Sequence, residues 1–465
     1  MAVIPISQSA RRRTDYEVFR RAHPAFVARI QWLRKHRDRE LAKLSRLTGV
    51  AKRNRVRSLL ADRSLHLLYA YEGTLKAKRL RDATPDTIME LASGCNPFRA
   101  CHEPGTVRTV TKRGKARLVS AFGPAKRMHQ LLVADLLRHL HPPLDQQYLF
   151  RGGMPAALRA VEAAYREGFT YAVEIDIVDF YGSVRLEGLA DIMRPLPETV
   201  VRHVVWDEAF MTCMGQDDDV PVSVEDRGPS SSAQRGLVLG SACSPIAGEL
   251  ILAGLLAHSD RHRVVAYADN ILVLGRSMRG CRQYVEQMRE RASSFVGCAL
   301  EQRVGPIRDL RTQSFTFLRQ EGHVDNETFV WSPDYRRLTE FLIAEAGRLL
   351  TPEMIEQAEN RISNWRRAYP LWPDGDEWEA RQLAALAARR FYLEASPLNR
   401  ANAAQSLASA YLMLGRLVSL EELAPEGTQA QDLPRRAQLI EAAESRLVLM
   451  AQRSDWDREQ IRFRG

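Results

Sequence analysis

Two short segments of the chain each place an aspartate where an apolar strand gives out. The first, VEIDIVDFYGSV at 173–184, follows Tyr171, carries Val173 and Ile175, and delivers Asp176, then Asp179 with the aromatics Phe180 and Tyr181. The second, AYADNILVLG at 266–275, follows Val264 and Val265, reaches Asp269 and Asn270, and returns through Ile271, Leu272, Val273 and Leu274. That is the pattern of a buried hairpin with a polar tip. Carboxylates at neighbouring strand ends bind hard cations such as magnesium through oxygen. Two cations bridged by such a pair stabilise both the attacking and the leaving oxygen of a phosphoryl transfer, the chemistry to be expected of Asp176 and Asp269.

Taken with their order in the chain, the two segments resemble the A and C motifs of the palm of reverse transcriptases, whose C motif usually reads Tyr-x-Asp-Asp. Further segments fall in the family's order. GLVLGSACSPIAGEL at 236–250 resembles the B motif, keeping Gly240, Ser244 and Pro245, while Val238 and Leu239 replace the usual Pro-Gln. Upstream, TKRGKARLVSAFGPAKRMHQLLVADLLRHLHPPL at 111–144 resembles the finger strand, a turn and the helix after it. Downstream, VGCALEQRVG at 296–305 and SFTFLRQEG at 314–322 resemble the D and E motifs, the second being the grip on the primer strand. The resemblance covers residues 105 to 330 or so.

The resemblance implies an α+β fold of the right-hand polymerase type, with fingers, a palm built on an antiparallel sheet, and a thumb. A basic helical N-terminus and an all-helical C-terminal extension complete it. It implies an RNA-directed DNA polymerase that adds deoxynucleotides to a 3′-hydroxyl with two magnesium ions, manganese being the alternative. Asp176 and Asp269 are then the catalytic carboxylates and metal ligands, with Asn270 a weaker third ligand. Lys115 and Arg117 neutralise the triphosphate, arginine offering a planar fork to phosphate oxygens. Asp179 and Phe180 lie beside the nucleotide. Tyr181 lies beneath its sugar, where a flat ring clashes with the 2′-hydroxyl that marks RNA building blocks. Gly240 and Ser241 form a turn at which the backbone approaches template or nucleotide.

The implied partners are an RNA template, a DNA product and deoxynucleoside triphosphates, with no membrane. Within the bacterial group II intron-like and retron-like superfamily, the chain is most similar to stand-alone, defence-associated enzymes, which share the helical extension and variant motifs. Some of these copy a dedicated noncoding RNA. The Val-Thr-Gly thumb signature of retron enzymes is not found in residues 333–465. Asn270 removes one negative charge from the C motif, and the customary D-motif lysine has no clear counterpart. Arg303 is the nearest cation, its pKa too high for general-acid work but suited to an electrostatic clamp. Two other readings follow from these departures: a catalytically impaired RNA-binding scaffold, and a group II intron maturase-like protein.

Length and composition agree with a large, multi-domain protein: 465 residues, 45% hydrophobic, with a net charge of +10. The basic balance favours nucleic acid as partner. Arg11, Arg12 and Arg13 open onto a polar segment without an apolar stretch of signal or spanning length, so a soluble, cytoplasmic protein is expected. Six cysteines are scattered without a C-x-x-C pair, and Cys95, Cys101 and His102 make at most a weak metal candidate.

By composition the chain divides into a basic helical region at 1–80, fingers and palm at 81–332, and a helical thumb and extension at 333–465. The first has leucines at helical spacing (Leu41, Leu44, Leu47, Leu59, Leu60, Leu65, Leu67, Leu68), and its Arg11, Arg12, Arg13, Arg53, Arg55 and Arg57 are candidates to bind a phosphate backbone. Residues 215–236, acidic at Asp217 to Asp219 and then serine-rich, read as a surface loop. From residue 333 onward, helices are expected at 337–350, 352–368, 376–394, 398–417 and 434–453.

Overall fold

The computed structural model describes residues 8–386, apart from 78–79, 113–114, 210–211, 215–235, 257–261, 295–299, 326, 335–336, 339–340, 343–351, 381 and 384–385. The acidic loop with Asp217 to Asp219 and the helices expected at 398–417 and 434–453 lie outside the described residues. Packing divides the chain into two compact units, Met1–Ile307 and Arg308–Gly465, which differs from the compositional division at residues 80 and 332. The N-terminal helices share one hydrophobic core with the elements that follow them, which is why no packing boundary falls after residue 80.

The first unit opens with four helices: α1 (Gln8–Ala22), α2 (Pro24–Leu44), α3 (Gly49–Leu60) and α4 (Arg63–Lys76). Their leucines, Leu41, Leu44, Leu59, Leu60, Leu65, Leu67 and Leu68 among them, are buried, so the helical spacing marks an inner face. Asp62 starts α4 by accepting hydrogen bonds from the Ser64 and Leu65 N–H groups at 2.7 and 3.3 Å. A short helix α5 (Pro85–Ser93) follows, opened by a Thr84–Thr87 capping box.

Strands β1 (Gly105–Lys112) and β2 (Lys115–Phe122) form a hairpin, and α6 (Pro124–Leu140) leaves its end. The Glu103 carboxylate accepts the Ala125 and Lys126 N–H groups at 3.2 and 2.7 Å, supplying negative charge and acceptors at the positive end of α6. On the other face of α6, Tyr69 of α4 donates its hydroxyl to Asp135 at 2.8 Å.

Helix α7 (Gly153–Arg166) leads into β3 (Tyr171–Ile177), the short helices α8 (Phe180–Ser183), α9 (Leu186–Ile192) and α10 (Glu198–Val200), and a wide helical turn to Trp206. There Asp207 receives both a 2.7 Å and a 2.8 Å hydrogen bond from the buried Lys126 ammonium of α6. A short strand β4 (Thr212–Met214) runs parallel to β1. Helix α11 (Ser244–Leu255), strands β5 (His262–Tyr267) and β6 (Asn270–Gly275), helix α12 (Met278–Ser294) and strand β7 (Gln302–Val304) complete the unit. The central sheet runs β5-β6-β3-β7, each neighbouring pair antiparallel.

The second unit starts with β8 (Arg308–Asp309) and an antiparallel meander of β9 (Phe315–Phe317), β10 (Gln320–Asp325) and β11 (Thr328–Pro333). After the meander and helical residues at 337–338 and 341–342 comes α13 (Pro352–Arg367), whose Ile355, Ala358 and Ile362 pack with Trp372 and Trp378. No helix among the described residues is long and apolar enough to cross a membrane.

Candidate active site

In β3 the pleat buries Ile175 and Ile177, so Asp176 between them takes the opposite face and is half-buried. Asp176 pairs with Asn270 of β6 on one side and with Arg303 of β7 on the other. Residues directly opposite in antiparallel strands share a face of the sheet, which lines up Asn270, Asp176 and Arg303 in one row. Asp269 sits one residue before Asn270, in a two-residue turn closed by the Tyr267–Asn270 pair. Ala268 enters that turn at φ +52°, the left-handed start that a tight hairpin requires and that costs a residue with a Cβ about 1–2 kcal/mol.

The Asn270 amide donates to Asp269 Oδ1 at 3.1 Å, and the Asp176 carboxylate makes no hydrogen bond or ion pair with any described residue. A half-buried carboxylate left without a partner stands out, because such groups are nearly always satisfied. Two carboxylates with an amide oxygen beside them fit a hard divalent cation, which takes one or two protein carboxylates and fills its other positions with water and phosphate. Among the described residues no group of three or more His, Cys, Asp or Glu is placed to hold a metal.

Beyond β3 the chain turns at Asp179, which is exposed, has φ +44° and accepts the Ser183 N–H at 2.9 Å through its carbonyl. Phe180 is buried in the core and Tyr181 half-buried, their rings 5.5 Å apart. Both lie against α11, where a Cβ on Gly248 would come within 3.0 Å of the Phe180 ring and 3.6 Å of the Tyr181 hydroxyl. Burial, with the Asp269 and Glu249 carboxylates nearby, pushes the Tyr181 hydroxyl up to about 12, so it stays protonated.

The segment resembling the B motif is pinned on three sides. Leu237 N–H donates to the Tyr181 carbonyl at 2.8 Å, Ser120 N–H of β2 donates to the Leu239 carbonyl at 2.8 Å, and Arg127 of α6 donates to the Gly240 carbonyl at 2.8 Å. Gly240 has φ +103° and presses on the Ser120 carbonyl, so no side chain fits there. Ser241 is buried and accepts the Cys243 N–H at 3.2 Å, and Ser244 at the start of α11 donates its hydroxyl to the Val238 carbonyl at 2.8 Å.

The structure thus brings Asp176, Asp269, Asn270 and Tyr181 together, and links Gly240 and Ser241 to them through Leu237. Lys115 and Arg117 lie on β2, paired in backbone register with Lys112 and Val110, and their side chains are outside the described residues. Arg11, Arg12 and Arg13 lie on α1, their side chains likewise outside. On α3, Arg53 and Arg57 are exposed, whereas Arg55 forms an ion pair with the buried Glu40 of α2 and so serves helix packing.

Two residues at this site escape a reading of the sequence. Glu249 of α11 is only 5% exposed, and burial pushes its carboxyl up to about 7. The Ala268 N–H at the hairpin tip faces it and offsets part of that shift, yet neither carboxyl oxygen completes a hydrogen bond. Its signal in the sequence is a single acid inside the otherwise apolar run SPIAGELILAGL. Arg127 is held over the Phe122 ring at 5.3 Å with its Nε buried and unpartnered, and burial lowers its pKa. Near α5, Cys95 and Cys101 are free thiols, Cys95 being pushed to about 12 by burial.

Comparison with known proteins finds a family match over part of the chain. Residues 103–302, somewhat less than half of the chain, match the family described as Reverse transcriptase (RNA-dependent DNA polymerase). The match identifies a reverse transcriptase domain in the stretch that holds β1 to β6. No curated protein matches the chain. Among solved structures, apo telomerase from Candida tropicalis truncated from its C-terminal domain shares 10% identity at a TM-score of 0.33, covering 50% of this chain and 56% of that one. Telomerase from Candida albicans, in complex with the TWJ fragment of telomeric RNA, shares 10% identity at a TM-score of 0.38, covering 68% and 59%. The chain spans between half and two thirds of the length of these telomerase chains.

Proposed function

We propose that the chain copies RNA into DNA by adding deoxynucleotides to a 3′-hydroxyl, with Asp176 and Asp269 holding two magnesium ions. The observation that carries the reading is the β3–β6 register, which sets the unpartnered Asp176 opposite Asn270 and beside Asp269 at a hairpin tip. When bound, the ions supply the positive charge that steadies the attacking and departing oxygens. The 3′-hydroxyl gives its proton to solvent water as its oxygen bonds to the α-phosphorus, and the bond to the bridging oxygen breaks to release pyrophosphate, which is protonated from solvent. Asp176 and Asp269 fix the positions of that charge, and Arg117 and Lys115 on the β1–β2 hairpin receive the triphosphate.

Gly240 and Ser241 present backbone to the base pair, and Tyr181, braced against Gly248, disfavours a 2′-hydroxyl on the incoming sugar. In this reading β1, β2 and α6 are fingers, the β5-β6-β3-β7 sheet is the palm, β9 and β10 grip the primer, and α13 belongs to the thumb. The chain acts in the cytoplasm, in bacterial antiviral defence, on an associated noncoding RNA. Support for that last part is the resemblance of the motif variants and helical extension alone.

Incorporation of labelled deoxynucleotides on a primed RNA template tests the reading. Asp176→Ala and Asp269→Ala are each expected to lower it by at least about a hundredfold, the scale of losing one preorganised charge-stabilising group. Wild-type protein that binds RNA and incorporates nothing at any magnesium or manganese concentration would instead favour the impaired scaffold, to which Asn270 points.

A further inference from the structure

Residues 24–63 hold twelve lysines and arginines against three acids, Asp38, Glu40 and Asp62, an excess of nine positive charges when the whole chain carries +10. Most of this charge is on α2 and α3. The inner face of α2 is buried through Val27, Ile30, Leu33, Leu41 and Leu44. At the helical repeat, Arg29, Trp32, Lys35, Arg39 and Lys43 fall on the opposite side within one stripe.

Trp32 is 54% exposed, and its ring lies flat against that of His36, with centroids 5.5 Å apart and planes at 6°. His36 is itself half-buried, its Nε2 3.8 Å from Asp62 Oδ2, so it braces one side of an indole whose remaining surface is open to solvent. Arg39 donates its Nε–H to the Lys35 carbonyl at 3.3 Å and keeps its charge unneutralised. Lys43 is paired with Glu40, but Arg29, Lys35 and Arg39 make no ion pair with any described acid.

A flat aromatic surface framed by unpaired cations is the combination that holds unpaired nucleotides: rings stack on bases, and cations track the phosphates. A duplex hides its base faces and would use the cations alone. We propose that Trp32 and His36, with Arg29, Lys35 and Arg39, form a binding platform on α2 for single-stranded RNA. The choice of RNA over DNA rests on the reading that this chain copies an RNA strand.

Binding of labelled, unstructured single-stranded RNA and of a fully paired RNA duplex to the full-length protein, without nucleotides, tests the platform. Trp32→Ala is expected to weaken single-strand binding about five- to a hundredfold and leave duplex binding unchanged, with Trp32→Phe recovering most of the loss. Replacing Arg29, Lys35 and Arg39 together by glutamine should reduce the slope of log affinity against log salt by about 2, which Trp32→Ala should not alter. Because Trp32 lies on the surface, the thermal unfolding of Trp32→Ala serves as the control for folding.

Wild-type single-strand binding by Trp32→Ala, or equal losses for single strand and duplex, would overturn the platform. So would tighter binding to single-stranded DNA of the same sequence. Asp176→Ala is expected to bind RNA normally, which separates the two ideas: Trp32-dependent binding without any synthesis would remove the polymerase reading and leave the platform in place.

Discussion

Asp176 and Asn270 face each other across β3 and β6, so the position that usually carries a second acid of the hairpin is filled by an amide whose N–H is spent on Asp269. An amide oxygen binds a hard cation less strongly than a carboxylate. Asn270→Asp is therefore expected to lower the magnesium concentration for half-maximal incorporation by roughly tenfold, read from a metal titration at fixed template. An unchanged or raised requirement would place Asn270 outside the metal's coordination. A different residue governs behaviour in acid. His129 of α6 is buried, accepts the Asn96 N–H at 3.2 Å, and is pushed by burial, with His66 and Lys126 adding to it, from 6.5 down to about 4. The folded state thus refuses a proton that the unfolded chain accepts. Its contribution is complete above pH 6.5 and is lost as pH falls towards 4, in all about 3 kcal/mol. His129→Gln should flatten that acid limb in urea midpoints taken between pH 7 and pH 4. The two strand ends that carry Asp176 and Asp269 were legible in the sequence because each follows an apolar run, and β3 and β6 do lie side by side. Glu249 was not, because what makes it part of the site is its packing beneath Ala268, which no local pattern encodes.

At the scale of elements, the hairpin of β5 and β6 was readable from its two apolar runs, and so was β2 with its following helix. What escaped was how those elements are tied together. Glu103 reaches forward to the first turn of α6, and Lys126 of the same turn reaches Asp207, so one helix start is held by two acids from distant segments. Neither contact has a sequence signature, since each depends on where a loop returns. Lys126 and Asp207 are both nearly inaccessible, and removing one leaves a buried charge alone. Lys126→Met is expected to cost about 3–5 kcal/mol in a denaturant titration, while Lys126→Met with Asp207→Leu should regain most of it. A double variant as unstable as the single would show that the pair contributes more than mutual neutralisation. The same helix start bears Arg127, which grips Gly240, so loosening α6 should also loosen the turn that Gly240 forms.

Over the whole molecule, composition had announced a basic protein but not where the charge resides. Outside residues 24–63 the chain carries a single net positive charge, so the excess of positive charge and the candidate carboxylates Asp176 and Asp269 occupy separate stretches of one compact unit. Length and hydropathy could not show this, nor could they show that packing draws its boundary after Ile307 rather than where composition changes. The separation has a kinetic consequence. An enzyme that grips its template through one stretch and performs chemistry in another can keep hold of the strand between additions. Added salt is therefore expected to shorten the DNA made per binding event, by weakening the grip, while the rate of each single addition stays near its low-salt value. Single-encounter extension with a trap for released protein measures both quantities at once. A fall of the two in parallel would mean that the same charges serve grip and catalysis; a fall in length alone would make processivity a property of α2 and α3, adjustable without touching the active site.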